Sequence, residues 1–592
     1  MPILEAHLED HVLQLLQDLG YAYENGYDIA PAPDGKRPER ADYRQVWLLG
    51  RLEKALRRLN PALPDDGVAD AMARLKGLSG SLIERNRQFH TMLRDGVRVE
   101  YQKNGELVGD LARLCDFENP DANEFLAVNQ FSILGPTRDG FAYTRRPDVL
   151  IFLNGLPIAQ IELKNPAKEK TDIWAAFRQI GTYKQQIPDL YETNEILVIA
   201  DGPTARFGSI SSDAERMMQW RIIEGISLDP LGPLRETETL IRGLFRRDVL
   251  LPYLRDAVLF EDDGAQIVKK IAGFHQFRAL QKAVKRAVEA SANDGDRLGG
   301  VVWHTQGSGK SITMALYAAR VLRASEMKNP TVVVVTDRND LDGQLFGTFG
   351  RASGLLGLKP QQAQERGDLK TLLDGRVGGG VVFTTIQKFL PLKGENSFPV
   401  LSARANIVVI CDEAHRSQYG LHAKLNAQTG ALQYGYAKHL RDAFPNATFI
   451  AFTGTPVSLS DRDTRRVFGD YLDVYDMQMA QSDGAVVPIY YESRLAQLQL
   501  KEGEVEPLDE AIDELVGEEE ENEQARLKSQ WAALAQLVGA APRLEKIAAD
   551  FVAHAETRFE QLGGKVMFVA MSREICVSLY DAIVKLRPDW HH

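Results

Sequence analysis

The stretch Trp303-His304-Thr305-Gln306-Gly307-Ser308-Gly309-Lys310-Ser311 carries the residue types that hold a polyphosphate. Glycines let backbone N–H groups close around phosphate oxygens, a lysine directly after them reaches the outer phosphates, and the next hydroxyl ligates Mg²⁺. On this reading Thr305, Gly307, Ser308 and Gly309 line the loop, Lys310 is the phosphate cation and Ser311 a metal ligand. About a hundred residues on, the β-branched run Asn406-Ile407-Val408-Val409-Ile410-Cys411 ends in Asp412-Glu413-Ala414-His415. Asp412 would hold the same Mg²⁺ through water, and Glu413 would polarise the water that attacks the terminal phosphate. The two motifs together predict binding and hydrolysis of ATP–Mg²⁺.

A second constellation lies nearer the N-terminus. Asp148 precedes an apolar run, and Glu162 and Lys164 close the next one, a set that suits metal-dependent cleavage of a phosphodiester. Asp148 and Glu162 would hold Mg²⁺ against the scissile phosphate, while Lys164 would orient the attacking water and offset developing charge. Gln179 and Tyr183, four residues apart on a helical pattern, could hydrogen-bond phosphates or support the carboxylates.

Each set needs particular elements beneath it. Gly300-Val301-Val302 reads as a strand before the phosphate loop and Ile312–Ala319 as a helix after it, and the spacing to Asp412 suits several βα units of one parallel sheet. The usual phosphate-loop pattern would place glycine at position 304, where this chain has histidine. For the second set, residues 146–153 and 156–164 form a hairpin around Asn154-Gly155, a two-residue turn signal. Alternation places Glu162 and Lys164 on one face and Ile161 and Leu163 on the other. A tight turn pairs Leu153 with Leu156, which sets Asp148 opposite Ile161 instead of Glu162. The site therefore predicts a bulge, a different loop, or an Asp148 that lies before regular pairing.

Elsewhere the pattern is mostly helical. Residues 3–19 form an amphipathic helix whose Glu5 or Glu9 could face a site, with a surface carboxylate the favoured reading, and 44–58 and 69–94 read as helices. Length suggests roughly three or four domains. The three cysteines, Cys115, Cys411 and Cys576, have no metal-ligand spacing, which argues against a disulfide framework or a zinc site. No apolar run reaches membrane-spanning length and no signal peptide opens the chain, so a cytoplasmic protein without a membrane partner is expected. The net charge of −12 does not exclude DNA: residues 501–524 alone hold twelve acids against one lysine, which leaves the remainder near −1. That acidic run reads as a solvated linker.

The Pro-Asp, Glu-x-Lys and Gln-x-x-x-Tyr set resembles the PD-(D/E)xK nuclease superfamily in its RecB-like form. The phosphate loop resembles the variant of superfamily 2 helicases and translocases. Asp116-Phe117-Glu118-Asn119-Pro120, Val128-Asn129-Gln130-Phe131, Asn154-Gly155-Leu156-Pro157 and Ala205-Arg206-Phe207-Gly208-Ser209 resemble the restriction (R) subunit of type I restriction enzymes. Phe274-His275-Gln276 resembles that family's adenine-recognition segment, with Gln276 as the contact. Val335–Asp342 resembles its next DNA-tracking motif, and Phe452-Thr453-Gly454-Thr455-Pro456 the motif that couples hydrolysis to movement.

The resemblance implies an α/β protein. A PD-(D/E)xK endonuclease domain would occupy 1–220, a helical connection 221–273, a first RecA-like ATPase domain 274–459, and a linker with a truncated second RecA-like domain 460–592. Lys565–Arg573 would be a strand opening into a helix of that last domain. No arginine-rich motif follows Arg573, so this length of chain is expected to bind ATP–Mg²⁺ and hydrolyse it poorly. The function implied is the motor and cleavage subunit of a type I restriction enzyme, which translocates double-stranded DNA and cuts unmodified DNA far from the recognition site. Its partners would be the methyltransferase and specificity subunits. Two other readings stand beside it: a self-contained helicase-nuclease of DNA repair, and a non-cleaving, ATP-gated DNA-binding or remodelling protein.

Overall fold

The computed structural model describes residues 5–137, 141–164, 173–224, 235–336, 339–373, 376–389, 398–413, 424–425, 432–433, 436–455, 465, 467–487, 490–491 and 538–591. Expectations placed on Asp337, Arg338, Ala414, His415, Pro456 and the acidic run 501–524 fall outside these residues. The chain divides into two compact units, Met1–Val487 and Pro488–His592.

The first unit begins with a six-stranded mixed sheet. Its strands are β1 (Ala22–Asn25), β4 (Phe125–Asn129), β7 (Val149–Leu153), β8 (Leu156–Leu163), β9 (Ile196–Ala200) and β10 (Ala205–Gly208), adjacent in that order. Two side hairpins interrupt the numbering, β2 (Val97–Lys103) with β3 (Glu106–Ala112) and β5 (Ile133–Leu134) with β6 (Thr144–Arg145). β1 and β4 run parallel, β7 is antiparallel to both its neighbours, and β8 runs parallel to β9. The C-terminal ends of β1, β4, β8 and β9 and the start of β7 therefore meet at one end of the sheet. Every residue of β4, β7, β8 and β9 is buried, as the near-continuous apolar runs require.

Helix α1 (Glu5–Asp18) packs on β1 and β8. The helix expected from residue 44 starts later, as α2 (Leu49–Leu59), and the one expected over 69–94 is two, α3 (Asp65–Lys76) and α4 (Leu82–Asp95). The break is local chemistry: Gly77 caps α3, Gly80 takes a positive φ of 96°, and Glu84 of α4 reaches back to accept from the Ser81 backbone N–H at 2.7 Å. Helix α5 (Ile173–Gln186) packs on β8 and β9.

The connection is helical only in its first part. After α6 (Arg235–Leu244) and α7 (Arg247–Asp256) it turns into a hairpin, β11 (Val258–Asp262) and β12 (Ile267–Ile271). β12 is held by a fully buried cation. Lys269 Nζ donates to Glu195 Oε2 at 2.7 Å, Asn86 Oδ1 at 2.9 Å and the Asn194 carbonyl at 2.9 Å, while His90 Nδ1 lies 3.1 Å from the same Glu195 oxygen. Its backbone is tied as well, since Ser209 Oγ donates to the Lys269 carbonyl at 2.7 Å.

The second sheet has seven strands in the order β15-β16-β14-β17-β20-β13-β21, all parallel. They are β13 (Leu298–His304), β14 (Thr331–Thr336), β15 (Gln361–Gln362), β16 (Val381–Thr385), β17 (Ile407–Asp412), β20 (Thr448–Thr453) and β21 (Tyr471–Tyr475), with a short outlying pair β18 (Lys424–Leu425) and β19 (Leu432–Gln433). Helix α8 (Phe274–Ser291) precedes β13 and α9 (Lys310–Leu322) follows it. An end at residue 459 leaves out β21, which pairs with β13 from Val301↔Tyr471 to His304↔Tyr475. The sheet thus draws its last strand from beyond that boundary.

In the second unit, helices Ala541–Leu562 and Arg573–Leu586 pack through Leu544, Ala548, Ile575 and Leu579. Residues 563–570 form no strand, and Val566, Met567 and Val569 are exposed. A strand needs a neighbour to complete its hydrogen bonds, and the described residues of this unit supply none. Among the described residues of the chain no helix is long and apolar enough to cross a membrane. Lys269→Met should destabilise the first unit by about 3 kcal/mol in urea denaturation, because it strands Glu195 in the interior without its cation; an unchanged midpoint would contradict this role for the buried pair.

Candidate functional sites

The first site rests on a register change. The turn places Asn154 (φ 51°) and Gly155 (φ 84°) in the left-handed region, and Leu153 pairs with Leu156 as a two-residue loop requires. Phe152 then pairs with Pro157, but Ile151 pairs with Ala159, so Ile158 is the extra residue of a bulge. Beyond it Val149 faces Ile161, which brings Asp148 level with Glu162. The expected bulge is present, and Asp148 also lies one residue before β7 begins. Its Oδ2 accepts from the Leu163 backbone N–H at 2.7 Å, which fixes the carboxylate beside the end of β8.

Glu162 is fully buried. Its Oε2 accepts from Gln160 Nε2 at 3.0 Å, and Gln160 Oε1 in turn accepts from the Tyr191 hydroxyl at 2.8 Å. The other oxygen, Oε1, is buried and has no hydrogen-bond donor among the described residues, with Lys164 Nζ 3.7 Å away. Burial first, then the neighbouring Asp148 charge, push the Glu162 carboxyl up to about 8. Lys164 Nζ donates to the Leu163 carbonyl at 2.9 Å. On α5, Gln179 Nε2 donates to the Tyr183 hydroxyl at 2.7 Å, and burial followed by the Glu162 charge raises that phenol to about 12. All five expected residues therefore gather around one end of the sheet.

Glu9 belongs to the same end and not to open surface. It accepts from Asn129 Nδ2 at 2.7 Å and Gln130 Nε2 at 3.0 Å, and Asn129 pairs with Val149 next to Asp148. Only the phrase Val128-Asn129-Gln130-Phe131 hinted at a polar strand end needing a partner. Among the described residues no group of three or more His, Cys, Asp or Glu could hold a metal ion. Two carboxylates, with one buried oxygen that has no donor among the described residues, do suit a hard, oxygen-seeking cation such as Mg²⁺.

The second site is built on β13 and α9. Gly307 and Gly309 both have φ 83°, and Gly309 caps α9. Ser308 Oγ donates to the Thr305 carbonyl at 2.6 Å, closing the loop. Gln276 braces it from α8: its Nε2 donates to the Gly309 carbonyl at 3.0 Å, and a Cβ on Gly309 would stand 2.6 Å from that nitrogen. Lys310 and Ser311 open α9. Burial lowers the Lys310 ammonium, and the Glu413 and Asp412 charges act the other way, which sets both carboxylates within electrostatic reach. Glu413 sits at the end of β17 with φ 51°, a strained conformation for this residue type. A Cβ at Gly454 would lie 2.7 Å from Lys310 Nζ, so Thr453-Gly454-Thr455 packs directly against the loop. Thr453 Oγ1 donates to the Thr455 carbonyl at 3.0 Å.

Histidine at 304 has a structural reason. Its ring is buried and lies 2.9 Å from Asp473 of β21, which also receives Arg278 at 2.7 Å and Lys282 at 3.0 Å from α8. Burial opposes the Asp473 charge, yet the His304 and Arg278 hydrogen bonds hold it at about 2.

The description "Type I restriction enzyme R protein N terminus" matches residues 2–216, and "SWI2/SNF2 ATPase" matches residues 275–526. The type I restriction enzyme HindI endonuclease subunit of Haemophilus influenzae is 46% identical over 590 residues, which is 99% of this chain and 54% of that protein. The chain belongs to the type I restriction enzyme R-protein family. A second member, the putative type I restriction enzyme MjaIXP endonuclease subunit of Methanocaldococcus jannaschii, is 35% identical across 98% of this chain and 54% of its own length. The chain thus spans about half the length of the family members it matches. Among solved structures, a fragment of a putative HsdR subunit from Vibrio vulnificus YJ016 overlaps 78% of this chain and 70% of that one at 14% identity, with a TM-score of 0.29.

An ordinary glutamate loses its proton near 4.5, but buried Glu162 keeps it to about 8. Between those values the unfolded chain has released a proton that the folded chain still holds. In metal-free buffer stability should therefore fall as pH rises through this window, by up to about 1.4 kcal/mol per pH unit from this group. Glu162→Gln removes that component. Urea denaturation in EDTA across the window should show wild type losing ground to the variant as pH increases, and parallel curves would contradict the assignment.

Proposed function

We propose that this chain is the motor and cleavage part of a type I restriction endonuclease. The whole enzyme would translocate double-stranded DNA at the expense of ATP and cut unmodified DNA away from the recognition site, with ATP turnover by this length of chain alone expected to be low. The convergence of Asp148, Glu162 and Lys164 through the Ile158 bulge, on the same chain as a phosphate loop faced by Asp412 and Glu413, carries this reading.

In the nuclease, Asp148 and Glu162 would hold Mg²⁺, which when bound would supply positive charge against the scissile phosphate. Lys164 presents its ammonium beside Glu162 and takes up charge that develops on the phosphate oxygens. Tyr183, held by Gln179, donates toward the same carboxylates or a phosphate. In the motor, Gln276 reads the adenine edge while bracing Gly309, and the Thr305–Gly309 backbone surrounds the phosphates. Lys310 would neutralise the outer phosphates, Ser311 would hold Mg²⁺ directly and Asp412 through water, and Glu413 would orient the attacking water. Thr453, Gly454 and Thr455, packed against Lys310, register the state of that site and pass it to the DNA-tracking surface.

The division that fits keeps the nuclease within 1–220 and the connection within 221–273, and starts the ATPase domain at 274. With β21 that domain extends past 459, and a linker and part of a second RecA-like domain follow. Methyltransferase and specificity subunits read methylation and sequence in the cytoplasm.

A nicking assay on supercoiled plasmid, with the assembled enzyme, Mg²⁺ and ATP, tests this. Asp148→Ala and Lys164→Ala should each lose cutting by about 10²-fold or more while ATP turnover in the same tubes persists. Lys310→Ala should lose turnover and, with it, ATP-dependent cutting. Cutting that survives both nuclease changes would place the nuclease elsewhere.

A further inference from the structure

The end of the first sheet that gathers Asp148, Glu162 and Lys164 also carries exposed aromatic rings backed by arginines. Tyr27 follows β1 and is 51% exposed. The Arg146 guanidinium lies 5.7 Å from the Tyr27 ring centre and donates to its hydroxyl, and Arg146 stands two residues before Asp148. On the β5–β6 hairpin, which links β4 to β7 at this same end, Phe141 is 67% and Tyr143 38% exposed, and Arg145 lies 5.3 Å from the Tyr143 ring centre. The pieces are knitted together. The Gly135 N–H donates to the Tyr143 carbonyl at 2.9 Å, the Leu134 N–H to the Tyr43 carbonyl at 2.9 Å, and the Gly26 N–H to the Asn129 carbonyl at 2.8 Å.

Single exposed aromatics are ordinary, but several at one sheet end with arginines beside two of them are a surface with a chemistry. Arg146 holds the Tyr27 ring by its hydroxyl edge and Arg145 lies beside the Tyr143 ring, so the rings are positioned while exposed area remains for a second flat, electron-rich system. A paired duplex offers groove edges and phosphates to a protein surface; a strand with unstacked bases offers π-faces and phosphates together, which is what rings alternating with arginines take up.

We propose that Tyr27, Phe141 and Tyr143, supported by Arg145 and Arg146, form a stacking platform that holds unstacked nucleotides of a DNA strand beside the Asp148–Glu162 centre. The inference rests on the nuclease reading above and deepens it. The cleavage centre takes locally opened DNA, with bases flanking the scissile phosphate seated on the rings and their phosphates on the arginines.

The test is equilibrium binding of the purified full chain, in EDTA, to a single-stranded oligonucleotide containing 2-aminopurine, and to the same sequence as a blunt duplex. Wild type should bind the single strand more tightly than the duplex and quench its fluorescence as the base stacks. Tyr27→Ala with Tyr143→Ala should weaken single-strand binding roughly tenfold or more and abolish the quench. Tyr27→Phe with Tyr143→Phe should keep both, since the ring and not the hydroxyl does the stacking. Wild-type binding without a quench, an alanine pair that binds and quenches normally, or a phenylalanine pair as defective as the alanine pair would each overturn the platform. Retained plasmid cutting by Asp148→Ala would instead remove the nuclease reading, and with it the platform's role in cleavage, whatever the binding assay shows.

Discussion

Side chains along a strand alternate faces with a period of two, so two carboxylates on paired strands share a site only when their register allows it. In the β7–β8 hairpin a two-residue turn alone sets Asp148 against Ile161. One extra residue, Ile158, moves every pairing beyond it by one and sets Asp148 level with Glu162. The device sits where the backbone tolerates it: Pro157 has no N–H to contribute to a ladder, and the Ile158 carbonyl is taken by the Glu195 N–H at 2.7 Å from the segment before β9. The same neighbour, Glu195, anchors Lys269 of the connection, so the hairpin's bulge and the attachment of the connecting hairpin share one piece of chain.

The second site depends on a different constraint. In a parallel sheet all strands end on the same side, so β13, β17 and β20 deliver the phosphate loop, Asp412-Glu413 and Thr453-Gly454-Thr455 to one edge without any special register. Proximity is then set by small residues: Gly309 admits Gln276 and Gly454 admits Lys310, each closer than a side chain would permit. His304, which departs from the usual glycine, ties the loop's own strand to β21 and α8 through Asp473. Tyr475 of β21 stacks on His275 with ring centres 3.9 Å apart, and His275 Nε2 lies 3.0 Å from the Ser308 carbonyl, so the edge strand braces the loop from outside.

That Asp148, Glu162 and Lys164 would come together at one sheet end was legible because their types and spacing are themselves the signal, and the need for a bulge followed from strand periodicity. Which residue bulges was not legible, since it depends on how β8 meets β9 across the sheet. Which side of that helix Glu9 takes was hidden for the same reason: its partners Asn129 and Gln130 come from a strand end more than a hundred residues away. Glycines at 77 and 80 did mark the break in the expected helix 69–94, but a strong apolar period masked them. β21 was missed because Tyr471-Leu-Asp-Val-Tyr475 looks half polar until Asp473 meets His304 and Arg278. Residues 565–569 show the converse, a strand-like run that stays irregular where no described neighbour completes its hydrogen bonds.

The central claim, that one displaced register makes Asp148 and Glu162 a single metal site, is tested most directly by titrating the nucleotide-free chain with Mn²⁺ and following the free ion by electron paramagnetic resonance. Wild type is compared with Asp148→Asn, Glu162→Gln and the double variant. If the two carboxylates act as one site, either single change removes the binding that the double change removes, so the losses do not add. Losses that add, or Mn²⁺ binding that survives either single change, would show that the two carboxylates do not share an ion and would contradict the account.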